Sequence, residues 1–233
     1  MNIRSWQSVS LASIVITGIG VCARAQAPSA APTAVYAVAY VEVLPGSAAA
    51  AKSALRAYRD ATRKDDGAVA LELFERADRE GHLAVIETWR DQAAFDAHAK
   101  TAQTIRLRDA LEPLRVSGYD QRPYKPLAVG PRREGGASAL HVLTHVDTVP
   151  GPQSDGPGLL RRLAEASRTE QNNARFDVLQ HAMRANHFTI VETWAGQAAL
   201  EAHAGAAHTK QYRDSLQAIA GGPLDERIYV AVE

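Results

Sequence analysis

The sequence predicts an α+β protein: two tandem β-α-β-β-α-β units, packed sheet to sheet as a pseudo-symmetric barrel within one chain. Two observations carry this. First, Glu87-Thr88-Trp89 followed by His98 returns as Glu192-Thr193-Trp194 followed by His203, an offset of 105 positions (192 − 87). The register runs without a gap from Pro45-Gly46/Pro150-Gly151, through Leu55-Arg56/Leu160-Arg161 and His82/His187, to Arg122/Arg227 and Tyr124/Tyr229. Self-similarity at one fixed spacing marks repeated structural units. Second, each copy alternates β-branched, period-two stretches with Ala-rich stretches of helical composition.

In the first copy, Val35 to Leu44 alternates and reads as a strand that Pro45-Gly46 ends. Ser47 is placed to cap the Ala-rich helix that runs to about Arg63. After the turn Asp65-Asp66-Gly67 come two strands, Ala68 to Ala77 and His82 to Arg90, joined by Asp78-Arg79-Glu80-Gly81. Asp91 caps a helix that begins Gln92-Ala93-Ala94-Phe95. A second helical piece covers about Ala102 to Leu111, and Val116 to Tyr124 is the last strand. This order is the split β-α-β unit of ferredoxin-like folds. The second copy repeats it, with Asn172-Asn173 where the first has Gly67; Asn tolerates a left-handed backbone better than most side chains.

Such a sheet carries helices on one face and leaves the other bare. The tethered neighbour can cover that face, which predicts the barrel. Two independent beads on a linker would leave both apolar faces exposed. The expected boundaries are a signal peptide at 1–25, a leader at 26–34, the repeats at 35–125 and 140–233, and a linker at 126–139. The linker is rich in Pro, Gly and Arg, so it is expected to let the second copy reposition.

Arg4 and the apolar stretch Val9 to Val21, followed by small residues, have the form of an export signal cut after Ala25. The run is too short for a comfortable membrane span, which needs about 20 apolar residues. A periplasmic or secreted protein without stable membrane insertion is therefore expected. The single cysteine, Cys22, lies inside the signal behind Val21, where a lipid anchor would need a small residue, so the mature chain would have no thiol chemistry. With 26 basic and 26 acidic residues and no long run of either sign, the chain lacks the basic stripe of a nucleic-acid binder.

The pattern Glu-Thr-Trp-x-x-x-Ala-Ala-x-x-Ala-His, on the third strand and second helix, occurs at Glu87 to His98 and again at Glu192 to His203. In this the sequence resembles the antibiotic biosynthesis monooxygenase family, of dimeric α+β-barrel fold. The resemblance implies that one chain builds the barrel that members usually build from two. It also implies oxygenation of electron-rich aromatics such as quinols and anthrones by O2, without metal or flavin. A haem-degrading branch carries a Trp where this chain has His98 and His203, and a His where it has Arg108 and Arg213; its first-strand Asn is missing from both copies. The anthrone oxygenases have an Asn where Val85 and Ile190 stand here.

The candidate site residues come in pairs. Trp89 and Trp194 could stack on a flat ligand, or plug the junction of sheet and helix. His98 and His203 could act as the base that removes a phenolic proton, or sit at a helix end satisfied by a carbonyl or by Glu87. Glu87 and Glu192 share the strand face of the Trp and could orient the imidazole, or pair with Arg on a solvated edge. Arg108 and Arg213 could stabilise a substrate oxyanion, or pair along the helix, as Arg108 with Glu112. His141 and His145 lie roughly 13 Å apart on one strand face, and His203 and His208 are five residues apart, off the spacing of a helical metal pair. No metal site is therefore expected. No Gly-rich dinucleotide loop is present, and no cofactor is expected.

The functional expectation is an exported, cofactor-independent monooxygenase oxidising a small electron-rich aromatic with O2. The alternative is a non-enzymatic protein holding a hydrophobic small molecule, or haem, between the two sheets. A homodimer of the fused barrel is the one further assembly considered.

Overall fold

A computed structural model describes residues 33–151 and 154–233. The expected signal peptide, and the leader up to residue 32, lie outside the described residues. The first repeat contains β1 (Val35–Glu42), α1 (Ala48–Thr62), β2 (Ala68–Arg76), β3 (His82–Trp89), α2 (Gln92–His98), α3 (Ala102–Leu111) and β4 (Asp120–Ala128). The second contains β5 (Leu140–Asp147), α4 (Gly156–Ser167), β6 (Asn173–His181), β7 (His187–Trp194), α5 (Gln197–Gly205), α6 (Ala207–Gln217) and β8 (Asp225–Ala231). The eight strands close into one barrel in the order β1-β3-β2-β8-β5-β7-β6-β4, all pairs antiparallel. The chain is thus two α+β repeats sharing one barrel rather than two beads.

Strand alternation sorts the side chains into three cores. Tyr36, Val38 and Tyr40 of β1 point into the lumen with Ala84, Ile86, Phe74, Tyr124, Leu143, Leu179, Val191 and Tyr229. Ala39 and Val41, one residue out of phase, face α1 and α3 together with Leu55, Leu83, Val85, Leu107 and Leu111. The second repeat builds the matching outer core from Leu160, Leu163, Phe176, Ile190, Trp194 and Leu216.

Closure rests on two strands that each serve both repeats. β4 pairs with β1 from Asp120 to Tyr124, then with β6 from Tyr124 to Ala128. β8 pairs with β5 from Asp225 to Tyr229, then with β2 from Tyr229 to Ala231. This corrects the last strand of the first repeat, expected at Val116 to Tyr124. Its outer half finds a partner only in the other repeat, and Pro126 is accommodated beside a bulge between Pro126 and Ala128. The expected free linker is corrected too. Residues 126–128 are strand, the Gly130 N–H donates to Asp177 (3.0 Å), and Arg133 N–H donates to the Ala174 carbonyl (2.9 Å).

The local signals fared differently. Asp91 caps α2 by accepting from Ala94 N–H at 2.8 Å. Ser47 makes no side-chain cap, because Pro45–Ser47 is itself a 3-10 turn leading into α1. Asn172 has φ 68°, matching Gly67 at φ 79°, so the Asn does stand in a left-handed position.

Charged groups fill one end of the lumen. Arg175 is buried, with Nε 2.6 Å from Asp177 and Nη1 3.0 Å from Glu72 of the first repeat; Arg132 reaches the same Glu72 at 3.0 Å. At the other end, Arg122 donates to His145 Nε2 (3.3 Å), and His145 Nδ1 lies 3.0 Å from Thr189 Oγ1, which donates to the Tyr124 hydroxyl at 2.8 Å. The space between the sheets thus carries aromatic rings along its length and charged or polar groups at its two ends.

Candidate active site between sheet and helices

Glu87 and Trp89 lie in phase with Val85, so β3 turns them toward the helices rather than into the lumen. His98 ends α2, and the chain breaks before α3 begins at Ala102. The His98 carbonyl freed at that break accepts from the hydroxyls of Thr101 (2.8 Å) and Thr104 (2.9 Å). These contacts pin the imidazole against Trp89, with ring centroids 4.4 Å apart.

In the first repeat the result is a buried hydrogen-bonded chain. Asp65 Oδ2 lies 2.7 Å from His98 Nδ1, and Gln103 Nε2 donates to both Asp65 oxygens at 2.7 and 2.8 Å. On the other side of the ring, His98 Nε2 is 2.6 Å from the Tyr58 hydroxyl, which donates to Glu87 Oε1 at 2.8 Å. Trp89 Nε1 donates to Glu87 Oε2 at 3.0 Å. Glu87 is 1% exposed and His98 3%, whereas Asp65, with its side chain 22% exposed, forms the end of the chain that meets solvent. Burial, reinforced by the neighbouring Glu87 charge, pushes the Tyr58 hydroxyl well above its usual range.

This arrangement decides between the alternatives for Glu87. It sits on no solvated edge; it holds Tyr58 and Trp89, while Asp65 orients the imidazole. Arg108 does not pair with Glu112 either. Its guanidinium lies over the Tyr119 ring at 4.3 Å and donates to Gln121 at 3.1 Å, whereas Glu112 pairs with Arg115. Tyr58, His98, Arg108 and Tyr119 together line a closed cavity of about 10 Å³. Both His98 nitrogens are engaged within this chain of hydrogen bonds.

The second repeat keeps the frame and changes its contents. Trp194 Nε1 donates to Glu192 at 2.8 Å, and His203 stacks on Trp194 with centroids 4.5 Å apart. The position of Tyr58 is held by buried Leu163, so Glu192 has no hydroxyl partner. Burial raises the Glu192 carboxyl to about 8. Asp65 becomes Glu170 and Gln103 becomes His208: His203 Nδ1 and His208 Nε2 lie 2.6 and 2.9 Å from Glu170 Oε1. Arg213 is 3.7 Å from Glu226 on the rim. Burial, the largest influence, lowers His203 below its usual range despite Glu170.

The sequence pairs thus assemble as two sheet-helix sites rather than one central site. Sequence reasoning missed Tyr58, Asp65, Thr104 and Glu170, and set His208 aside on its spacing from His203. A signal existed for some of them, since Asp65/Glu170 and Thr104/Thr209 recur as carboxylate and Thr at the same 105-residue offset.

A closed eight-stranded α+β barrel, with a Trp and a His ring packed beside a buried Glu in each half, defines a fused dimeric α+β-barrel protein. The chain belongs to the antibiotic biosynthesis monooxygenase family, which it matches at residues 34–109 and 139–215. It is 30% identical over 63 residues to the Bacillus subtilis protein named "Putative monooxygenase YcnE", spanning 27% of this chain and 66% of that relative's length. Among solved structures, a "putative monooxygenase" of Fusobacterium nucleatum superposes with a TM-score of 0.76 at 14% identity, covering 86% of this chain and 93% of that one. An "anthrone oxidase-like protein" superposes at 0.69 and 12% identity, covering 88% and 94%. At such identities these likenesses speak for the fold, in both cases across both repeats.

Proposed function

We propose that the protein is an exported, cofactor-independent monooxygenase that oxidises a small electron-rich aromatic of quinol or anthrone type with O2, and that the first repeat carries the reaction. The observation behind this reading is the buried chain Asp65–His98–Tyr58–Glu87 beside Arg108. The acidic substrate proton passes to the Tyr58 hydroxyl as Tyr58, turned from Glu87, gives its own proton to His98 Nε2, and Asp65 on the Nδ1–H side stabilises the imidazolium. Arg108 faces the oxygen on which the anion's charge collects, and Trp89 backs the imidazole. The electron-rich anion gives one electron to O2, and the resulting radicals combine to form a carbon–oxygen bond. For an anthrone-type methylene the hydroperoxide loses water to give the ketone. One O2 yields one carbonyl oxygen and one water, and the four electrons come from the CH2, so no external reductant is required.

The cavity has room for about one water, so substrate access needs Arg108 to leave Tyr119 and Gln121, a lid motion of the usual kind. Export rests on Arg4 and the apolar Val9 to Val21 stretch; among the described residues no helix is long and apolar enough to cross a membrane. A homodimer of fused barrels would add an interface outside the barrel itself.

The test is oxygen uptake by purified protein supplied with an anthrone or a reduced quinone. His98→Ala should slow uptake by about 10²–10⁴-fold, and Tyr58→Phe should slow it as well. Substrate binding without oxygen consumption, or uptake indifferent to His98→Ala, sinks the proposal.

A further inference from the structure

We propose that the second repeat carries a site for a divalent transition ion of the zinc type, formed by Glu170, His203 and His208. One ligand atom from each, His203 Nδ1, His208 Nε2 and a Glu170 carboxylate oxygen, lies within 4.8 Å of the others. A tetrahedral ion with bonds of about 2.0–2.1 Å sets its ligand atoms roughly 3.3 Å apart. Glu170 Oε1 is 2.6 Å from His203 Nδ1 and 2.9 Å from His208 Nε2, so on ion binding the carboxylate withdraws by less than about 1 Å while the two imidazoles, within 4.8 Å of each other, close on the metal. Two imidazoles and one carboxylate suit zinc-type ions better than magnesium or calcium, which prefer oxygen alone.

The expectation that five residues separate these histidines too widely fails for a local reason. They stand on different helices. α5 ends at Gly205, Ala206 is extended at φ −64°, ψ 147°, and His208 belongs to the first turn of α6. Glu170 approaches from the turn that joins α4 to β6.

The ligand positions are held from behind. His203 is stacked on Trp194, and its second nitrogen faces Glu192 Oε2 at 3.8 Å. Exposure is graded: the side chains of His203, Glu170 and His208 are 8%, 17% and 29% exposed. An ion would arrive from the His208 side and keep its fourth position toward solvent. The first repeat supplies the contrast. There Gln103 closes the equivalent position by donating its amide to both oxygens of Asp65, and an amide nitrogen is no zinc ligand. The inference does not depend on the proposed oxygenation, which lies in the other repeat.

The experiment uses the untagged full chain, stripped with a chelator and titrated with Zn2+ against a chromophoric competitor at neutral pH, with Co2+ as a spectroscopic probe. The expected result is one ion per chain, a rise in Tm on Zn2+ addition, and visible Co2+ bands of low-coordinate geometry. His208→Gln, which installs the residue of the first repeat at a partly exposed position, should weaken binding at least about 100-fold and abolish the bands. Glu170→Gln should do the same. If the wild type does not bind Zn2+, or if both variants bind it as the wild type does, the three side chains form only a hydrogen-bonded cluster and the proposal falls.

Discussion

Tyr58 and Leu163 occupy equivalent positions, and this one difference decides what each buried glutamate can do. Tyr58 joins Glu87 to His98, whereas Leu163 leaves Glu192 with Trp194 as its hydrogen-bond donor. The doubled Glu-Thr-Trp…His pattern was legible because it is contiguous on one strand and the helix after it. Tyr58 and Asp65 were not, because they come from α1 and the turn beyond it, and only the fold brings those to β3 and α2. His145 permits a test at this scale. Burial, with Arg122 and Arg227 nearby and only partly offset by Asp225 and Asp147, lowers its pKa to about 4. A histidine whose folded pKa is depressed is protonated first in the unfolded chain, so its burial costs nothing above about pH 6.5 and destabilises progressively as pH falls toward 4. Between pH 7.5 and 5 this group should cost about 2 kcal/mol. Urea unfolding should show the wild type losing that much more stability over the interval than His145→Gln; equal losses would refute the assignment.

At the level of elements, helices and strands whose hydrophobic period was regular appeared within a residue or two of their expected positions. β4 did not, because half of its pairing lies outside its own repeat and no local pattern encodes that. The turn before β6 is the opposite case, since a local rule sufficed. Gly67 and Asn172 both adopt positive φ, and a β-branched residue cannot do so without strain. Asn172→Val should therefore destabilise the protein by about 1–2 kcal/mol, while Asn172→Gly should leave it unchanged or slightly more stable. Urea midpoints for the pair give the comparison, and equal midpoints would contradict the backbone assignment.

Across the whole molecule, the seams β4–β6 and β8–β2 make the two repeats one cooperative body. The sequence announced two units and a shared barrel, but the ion cluster that crosses the lumen has no counterpart in the repeat pattern: Glu72 matches Asp177 at the 105-residue offset, whereas Arg175 matches Ala70. Removing Arg175 leaves Glu72 and the almost fully buried Asp177 to share Arg132 alone. Arg175→Met should cost about 3–5 kcal/mol, and adding Glu72→Gln should recover part of it. Unfolding should remain a single transition, because neither sheet is complete without a strand from the other half. A biphasic curve would show the repeats to be independent.

Closing the barrel within one chain has a consequence for heredity as well as for mechanics. In a barrel assembled from two identical subunits, every codon is read into both pockets, and a residue that improves one is imposed on the other. Here each pocket has its own codons. Tyr58 and Gln103 can be retained on one side while Leu163 and His208 are tried on the other, so a molecule with near two-fold symmetry is free to house two unlike chemistries.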